Sequence, residues 1–200
     1  MPMFLISIIL LTAWFSFARK RASSLQAEKS ETFWENESKA NNTRKTSLEC
    51  LDYITIPLNL RSISNDCKDS FVVEYCNKLN MLSEKKIVNL TGISNTDLKS
   101  NYGTANLSIL TQYDQNFTDL AQTLNNLGKR LYELDERSLS INVLEFAVSC
   151  KSDISHTYKL LSKLYIDTNQ PEKIEDLKQT ASSLNSLMKQ SILRYLESVK

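Results

Sequence analysis

One pattern of residues occurs twice between residues 124 and 181, and its two copies are separated by a constant 34 positions. The paired positions are Leu124 and Tyr158, Leu127 and Leu161, Gly128 and Ser162, Leu131 and Tyr165, Asp135 and Asn169, Ser140 and Ile174, and Ala147 and Ala181. A fixed period of this length is typical of chains in which each copy is one structural unit that buries its apolar face against the next. The repeat therefore constrains the fold more than any other feature of the sequence.

Hydrophobic spacing indicates what each unit contains. Leucines recur at intervals of three and four residues from Leu120 to Leu131, which is the spacing of one face of a helix. The same spacing recurs in three later stretches, at Ile141, Leu144, Ala147 and Val148, at Tyr158, Leu161, Leu164 and Tyr165, and at Ile174, Leu177, Ala181 and Leu184. Each copy therefore predicts a pair of helices, and a further helix at residues 187–199 is expected to cap the stack.

Small residues mark the places where paired helices approach closely. Gly128 and Ala147 occupy such positions, so we expect Leu at position 128 to force the helices apart and Ala to be tolerated there. Asp153 precedes the second copy and is expected to cap its first helix.

The period, the order of large and small positions and the Ala of the second helix resemble the tetratricopeptide repeat, a helix–turn–helix unit. The resemblance implies an all-α fold, namely a short α-solenoid with repeats near residues 121–154 and 155–188 and a capping helix at residues 187–199. It also implies a non-enzymatic scaffold or adaptor that binds a peptide or partner protein in the groove lined by the first helix of each unit. Ser152 and Ser186 stand where a typical unit ends in proline.

The resemblance assigns the groove to two sets of residues. They are Gln122, Asn125, Lys129 and Tyr132 in the first unit, and His156, Lys159, Lys163 and Ile166 in the second. Residues four apart, such as Lys159 and Lys163, lie on one face of a helix. We therefore expect the three lysines to attract an acidic peptide and Asn125 to hydrogen-bond its carboxylate, while Tyr132 and Ile166 supply an apolar floor.

Composition and charge exclude other classes of protein. The 200 residues suit one domain with attachments, and the helical domain is assigned to residues 48–200. Basic residues number 24 and acidic residues 23, whereas a general nucleic-acid binder is clearly basic, so we expect no nucleic-acid partner. Three Gly and three Pro leave little room for the turns of a β protein.

Residues 1–18 carry no charged side chain, and Arg19, Lys20 and Arg21 follow at once. As a helix this segment is about 27 Å long, close to the roughly 30 Å of a hydrocarbon core. Cations beside an apolar span favour the cytoplasmic side, so we predict a single-pass anchor with the N-terminus outside and the C-terminal domain in the cytoplasm. The alternative is a cleaved signal peptide with small residues at Ser16 and Ala18. The mature chain would then be a secreted or lumenal protein, and an enzyme of unknown type is one form of this alternative.

The stretch between this segment and the repeats is less regular. Residues 19–47 are rich in Ser, Asn, Glu and Lys, and we predict a flexible polar tether because such a composition buries little apolar surface. Residues 51–60 predict an extended segment that covers apolar surface of the helices, with an edge that pairs with another chain as the alternative. Helices are predicted over residues 66–82 and from Leu98 to near Asp114, with a cap at Ser94. No chemistry is assigned to the distinctive string from Asn89 to Leu98.

The sequence carries no motif for catalysis. Its four cysteines are irregularly spaced, without a Cys-x-x-Cys pair, which argues against zinc and thioredoxin-like sites. His156 is the single histidine, and no glycine-flanked nucleophile accompanies it. We therefore expect no catalytic residue, no metal and no cofactor, and a function that resides in a binding surface.

Overall fold

The structure, a computed structural model, describes the backbone of residues 2–199 and the side chains of residues 11–199 other than 13, 22 and 24–28. The α-helices in this range are α1 (Pro2–Asn41), α2 (Leu58–Arg61), α3 (Ser70–Ser83), α4 (Asn95–Tyr102), α5 (Leu107–Glu133), α6 (Arg137–Ser149), α7 (Ser155–Asp167), α8 (Lys173–Ser182) and α9 (Lys189–Ser198). Across residues 2–199, β structure is limited to one antiparallel bridge between Tyr53 and Val88. The predicted all-α class is confirmed.

Helix α1 runs through the predicted membrane segment and most of the predicted tether. Ten of the eighteen residues of the membrane segment, 1–10, have side chains outside the described part, as does residue 13. Among the residues described, no helix has both the length and the apolar character needed to cross a membrane. The tether is helical as far as Asn41 instead of irregular, and an i,i+4 ion pair of 2.7 Å links Glu35 to Lys39 within it.

The chain divides into two compact units, one of residues 1–46 and 94–107 and the other of residues 47–93 and 108–200. In the first unit α1 packs against α4. Glu37 of α1 forms an ion pair with Lys99 and accepts a hydrogen bond of 2.7 Å from the Thr96 hydroxyl. Ser94 caps α4 by accepting a hydrogen bond from the Asp97 amide at 3.1 Å, as predicted.

The second unit contains two apolar cores that share helix α6. The first core joins α2, α3 and α5 to the face of α6 that carries Val143 and Ala147. The second joins the face of α6 that carries Ile141, Leu144 and Val148 to α7, α8 and α9. A helix that is apolar on both sides lies inside a stack of helices, whereas a helix at its end exposes one side.

The segment at residues 51–60 covers apolar surface of its own chain. Ile56 and Leu60 are buried in the first core, and the Ile54 amide donates to the Ile87 carbonyl at 2.9 Å. Pro57 then precedes α2, where its missing N–H leaves no donor unsatisfied. The interpretation as a covering strip is confirmed.

One local turn geometry occurs after both α5 and α7. Asp135 and Asn169, which lie 34 residues apart, have left-handed backbone angles with φ of 61° and 58°. In each turn the next amide returns to a carbonyl five residues earlier, from Glu136 to Leu131 at 2.9 Å and from Gln170 to Tyr165 at 2.7 Å. Asp and Asn tolerate this conformation better than other side chains, so the paired residues found in the sequence have the same role in both turns.

Two expectations for the repeat region are corrected. A Cβ on Gly128 would lie 2.5 Å from the Leu144 Cδ2 and 2.7 Å from its Cγ, so Ala does not fit there unless Leu144 moves. Asp153 does not cap α7, because its carboxylate accepts a hydrogen bond of 2.5 Å from the Ser186 hydroxyl and the residue before α7 is Ile154.

The upstream helices also differ from the prediction. The helix expected to end near Asp114 is continuous with the first helix of the repeat region, as α5, and Gly103 separates it from α4. Helix α3 begins four residues later than expected, after Asp69, whose carboxylate accepts from the amides of Phe71 and Val72 at 3.1 and 3.3 Å.

Candidate functional site

Helices α5, α7 and α9 enclose a depression of about 350 Å³, here called the basic pocket. Its lining consists of Lys129, Tyr132, Glu133, His156, Lys159, Leu160, Lys163 and Tyr195. Three ammonium groups therefore face a single carboxylate across a surface that contains two aromatic rings and a leucine. Five of the predicted groove residues are brought together here.

Helix periodicity explains why these side chains share one surface. On α7, His156, Lys159 and Lys163 follow one another at intervals of three and four residues. The opposite face of α7 is buried in the second core through Tyr158, Leu161 and Leu164. Because the apolar stripe fixes the rotation of the helix, the lysines are held towards the pocket.

Two of the lysines lie against aromatic rings. The Lys159 Nζ is 5.2 Å from the centre of the Tyr195 ring, and the Lys163 Nζ is 5.1 Å from the centre of the Tyr132 ring. Both distances are in the range of cation–π attraction. Hydrogen bonding to Tyr132 raises the pKa of Lys163, so this ammonium group stays charged at neutral pH.

The lysines differ in their acidic neighbours. Lys129 lies 3.8 Å from the Glu133 carboxylate, and both side chains are well exposed, so the pair is weak. Within the described part of the chain, no carboxylate oxygen comes within 4.0 Å of the Lys159 or Lys163 ammonium nitrogen. The pocket therefore holds positive charge that its own lining does not neutralise.

Three of the predicted groove residues lie outside the pocket. The Asn125 Oδ1 lies 3.0 Å from the His156 Nδ1 and accepts a hydrogen bond of 3.3 Å from the Thr157 hydroxyl. Asn125 thus joins α5 to α7 through its side-chain oxygen. Gln122 and Ile166 are exposed elsewhere on their helices.

The apolar floor comes from residues that sequence reasoning did not assign to the groove. Leu160 and Tyr195 take the place expected for Ile166, alongside Tyr132. Tyr195 follows the buried Ile192 by three residues, which places it at the edge of the apolar stripe of α9. This spacing indicates that Tyr195 lies beside the apolar face of α9. The sequence does not show, however, which side of α7 the helix α9 covers.

A larger depression, of about 440 Å³, lies beside the ends of α6 and α8. Its lining mixes apolar, charged and polar side chains, among them Asn89. The Asn89 Nδ2 donates to the carbonyls of Cys150 and Lys151 at 3.0 and 3.2 Å, so Asn89 satisfies carbonyls at the end of α6. This structural role accounts for the start of the string that begins at Asn89.

Among the described residues, no cluster of three His, Cys, Asp or Glu side chains is placed to hold a metal ion. Burial raises the pKa of the Cys150 thiol to about 11 and also raises the pKa of Cys76. Both thiols are therefore protonated at neutral pH.

Comparison of the chain with protein-family models, with curated proteins and with solved structures finds no match. The resemblance to tetratricopeptide repeats therefore stays a prediction that rests on the residues themselves. A function has to be argued from the chemistry of the basic pocket and from the way the helices present it.

Proposed function

We propose that this protein is a non-enzymatic scaffold that binds an acidic segment of a partner protein in the basic pocket. The observation that carries the proposal is the pair Lys159 and Lys163, which are held against tyrosine rings and form no ion pair within 4.0 Å among the described residues. Cations that are positioned but not neutralised are suited to bind the carboxylates of a partner.

The magnitudes agree with a specific but moderate affinity. An exposed ion pair contributes about 1 kcal/mol or less, so the lysines alone do not hold a peptide. Contact of the peptide with the partly exposed rings of Tyr132 and Tyr195 adds apolar burial at about 25 cal/mol per Å². Together these contributions suit a Kd in the micromolar range, which corresponds to a binding free energy of about −8 kcal/mol.

We further propose that the scaffold is a short tetratricopeptide-like solenoid. Support comes from the residue pattern with its 34-residue period. In such a stack the first helices of successive units, here α5 and α7, share the surface that binds partners.

Attachment to a membrane through residues 1–18, with the remainder in the cytoplasm, is a separate proposal that rests on the sequence alone. Mass spectrometry of the N-terminus of the protein isolated from cells tests it, since cleavage after Ala18 identifies a signal peptide and hence a secreted or lumenal protein. Labelling of the exposed Cys50 by an impermeant maleimide in intact cells tests the orientation. Rapid labelling without permeabilisation contradicts the cytoplasmic placement.

Binding is tested with fluorescein-labelled peptides of nine residues that carry three consecutive Asp or Glu residues at one end, and with Asn or Gln versions of the same peptides. We expect the acidic set to bind and its affinity to fall as salt is raised from about 0.05 to 0.5 M, because screening weakens exposed charge pairs. The Lys159→Glu, Lys163→Glu double variant is expected to abolish binding.

The matched control is Lys78→Glu with Lys85→Glu, which changes the net charge equally at exposed positions outside the pocket. Circular dichroism of both double variants verifies that the helices are intact. Equal binding of the acidic peptides by the pocket variant and by the control would show that the basic pocket is solvated surface and not a recognition site.

A further inference from the structure

A second depression, of about 260 Å³, adjoins the basic pocket on the same compact unit. Its lining consists of Phe71, Tyr75, Asn126, Lys129, Arg130 and Glu133. Lys129 and Glu133 also line the basic pocket, so the two depressions meet along one edge of α5. The surface thus continues from α3 across α5 to α7 and α9.

The chemistry of the second depression differs from that of the basic pocket. Phe71 is 51% exposed although it is a large apolar side chain. The Arg130 guanidinium lies 5.3 Å from the centre of its ring. That guanidinium donates to both oxygens of Asp69, at 3.0 and 2.7 Å, and to Glu133 at 3.1 Å. Arg130 is therefore neutralised and holds the ring in place, and it does not add a free cation.

A fixed and half-exposed aromatic ring offers a surface for an apolar side chain. Aromatic residues with restricted motion are frequent anchors at protein interfaces, because their apolar area is large and little conformational entropy is lost on binding. The depression at Phe71 therefore suits a large aliphatic or aromatic side chain, whereas the basic pocket suits carboxylates.

The distance between the two depressions follows from helix packing. Neighbouring helix axes lie about 8–10 Å apart, so α3 and α7, with α5 between them, are separated by roughly 20 Å. An extended chain covers about 3.3 Å per residue, so roughly six residues connect the two depressions. A single short peptide is long enough to reach both.

We propose that the two depressions form one groove for an extended peptide that has two anchors. The acidic end of the peptide lies among Lys129, Lys159 and Lys163, and an apolar side chain about six residues away packs on Phe71. This inference rests on the proposed function and deepens it, because it states the class of peptide by spacing as well as by charge.

The test uses fluorescein-labelled peptides of ten residues with three acidic residues at one end and either Trp, Leu or Ala six residues away, synthesised in both chain directions. In one direction we expect the Trp and Leu peptides to bind about 5- to 20-fold more tightly than the Ala peptide, as for a typical interface anchor. Phe71→Ala should remove that preference and leave the affinity for the Ala peptide unchanged.

Met81→Ala is the matched control, because Met81 is exposed on the same helix but does not line the depression. It should preserve the preference for Trp and Leu. If Phe71→Ala keeps that preference while Lys159→Glu with Lys163→Glu abolishes binding, the second anchor is refuted and the proposed function stands. If neither variant changes the binding of any peptide, both proposals fail.

Discussion

Gly128 of α5 packs directly against Leu144 of α6, and its lack of a side chain has an energetic consequence that can be tested. In Gly128→Ala the new Cβ displaces the fully buried Leu144, at an overpacking cost of about 1–3 kcal/mol. The higher helix propensity of Ala returns about 1 kcal/mol. We expect a net loss of about 1 kcal/mol, and a loss of at least about 3 kcal/mol for Leu, from urea denaturation.

A double-mutant cycle identifies the contact that is responsible. Leu144→Ala alone leaves a cavity, whereas in the Gly128→Ala background part of that cavity is filled by the new methyl group. The double variant should therefore lose less stability than the sum of the two single variants. An Asn126→Ala variant, at an exposed site two residues away on α5, controls for helix propensity. A Gly128→Ala protein more stable than the wild type would contradict the close approach.

Asp69 both caps helix α3 and forms an ion pair with Arg130. Lowering the pH should remove the contribution of the ion pair, so the two roles can be measured separately. The Arg130 guanidinium lowers the pKa of Asp69 from 3.8 to about 2. A carboxyl group whose pKa is lower in the folded state than in the unfolded state contributes its full stabilisation when the pH is above the unfolded-state pKa. This contribution is lost as the pH falls from about 5 towards 2.

The substitution Asp69→Asn keeps a side chain that caps helices well but removes the charge. We expect a lower thermal midpoint than the wild type at pH 7, and a difference that disappears as the pH approaches 2. Asp69→Ala, which removes the cap as well, should stay less stable than Asp69→Asn at every pH. A difference between the wild type and Asp69→Asn that does not change with pH would exclude the ion pair as its cause.

At the scale of single residues, the sequence predicts the helix face on which a side chain lies better than it predicts the residue that the side chain contacts. Intervals of three and four residues correctly placed Lys159 and Lys163 on the exposed face of α7. The partner of Asn125 was missed, because its hydrogen bond to His156 depends on how two helices are offset along their axes. Periodicity within one helix contains no information on that offset. The same reasoning explains why Tyr195, on a third helix, was not assigned to the pocket.

At the scale of helices, polar residues inside α5 were misleading. A helix end was expected near Asp114, but Asp114 and Asn116 both hold the loop that precedes α4. Asp114 accepts a hydrogen bond of 3.2 Å from the Leu90 amide, and the Asn116 Nδ2 donates to the Lys86 carbonyl at 2.9 Å. Without Gly or Pro between residues 104 and 127, nothing in the backbone stops the helix. Tertiary contacts, which the sequence does not display, decided the boundary.

Asn116 gives a test of that role. Asn116→Ala leaves the Lys86 carbonyl without this donor in a largely buried site, so we expect a loss of about 1–3 kcal/mol in the free energy of unfolding. Asn126→Ala, in the same helix but exposed, should change it by about 0.5 kcal/mol or less. Circular dichroism of the two variants should show equal helix content. Equal stability of the two variants would mean that the hydrogen bond to Lys86 does not support the loop.

Across residues 47–93 and 108–200, stability depends on α6, because it carries apolar residues of both cores. Val143 and Ala147 pack into the first core, and Ile141, Leu144 and Val148 into the second. If α6 unfolds, both cores lose the apolar side chains that it contributes and become exposed to water. The repeat in the sequence predicts stacking of this kind, since a unit cannot bury its apolar face alone, but it does not predict how strongly the cores are coupled.

Hydrogen exchange followed by mass spectrometry measures that coupling. Leu79 in the first core and Leu161 in the second are fully buried, and truncation of either to Ala should cost about 2–5 kcal/mol. If α6 couples the cores, each variant lowers the protection of slowly exchanging amides in α3, α5 and α7 by the same free energy, because these amides exchange only on global unfolding. Leu187→Ala, at a fully exposed side chain before α9, should leave all of them unchanged. Loss of protection in α7, α8 and α9 alone after Leu161→Ala would show that the two cores unfold independently, as weakly coupled units of a solenoid do.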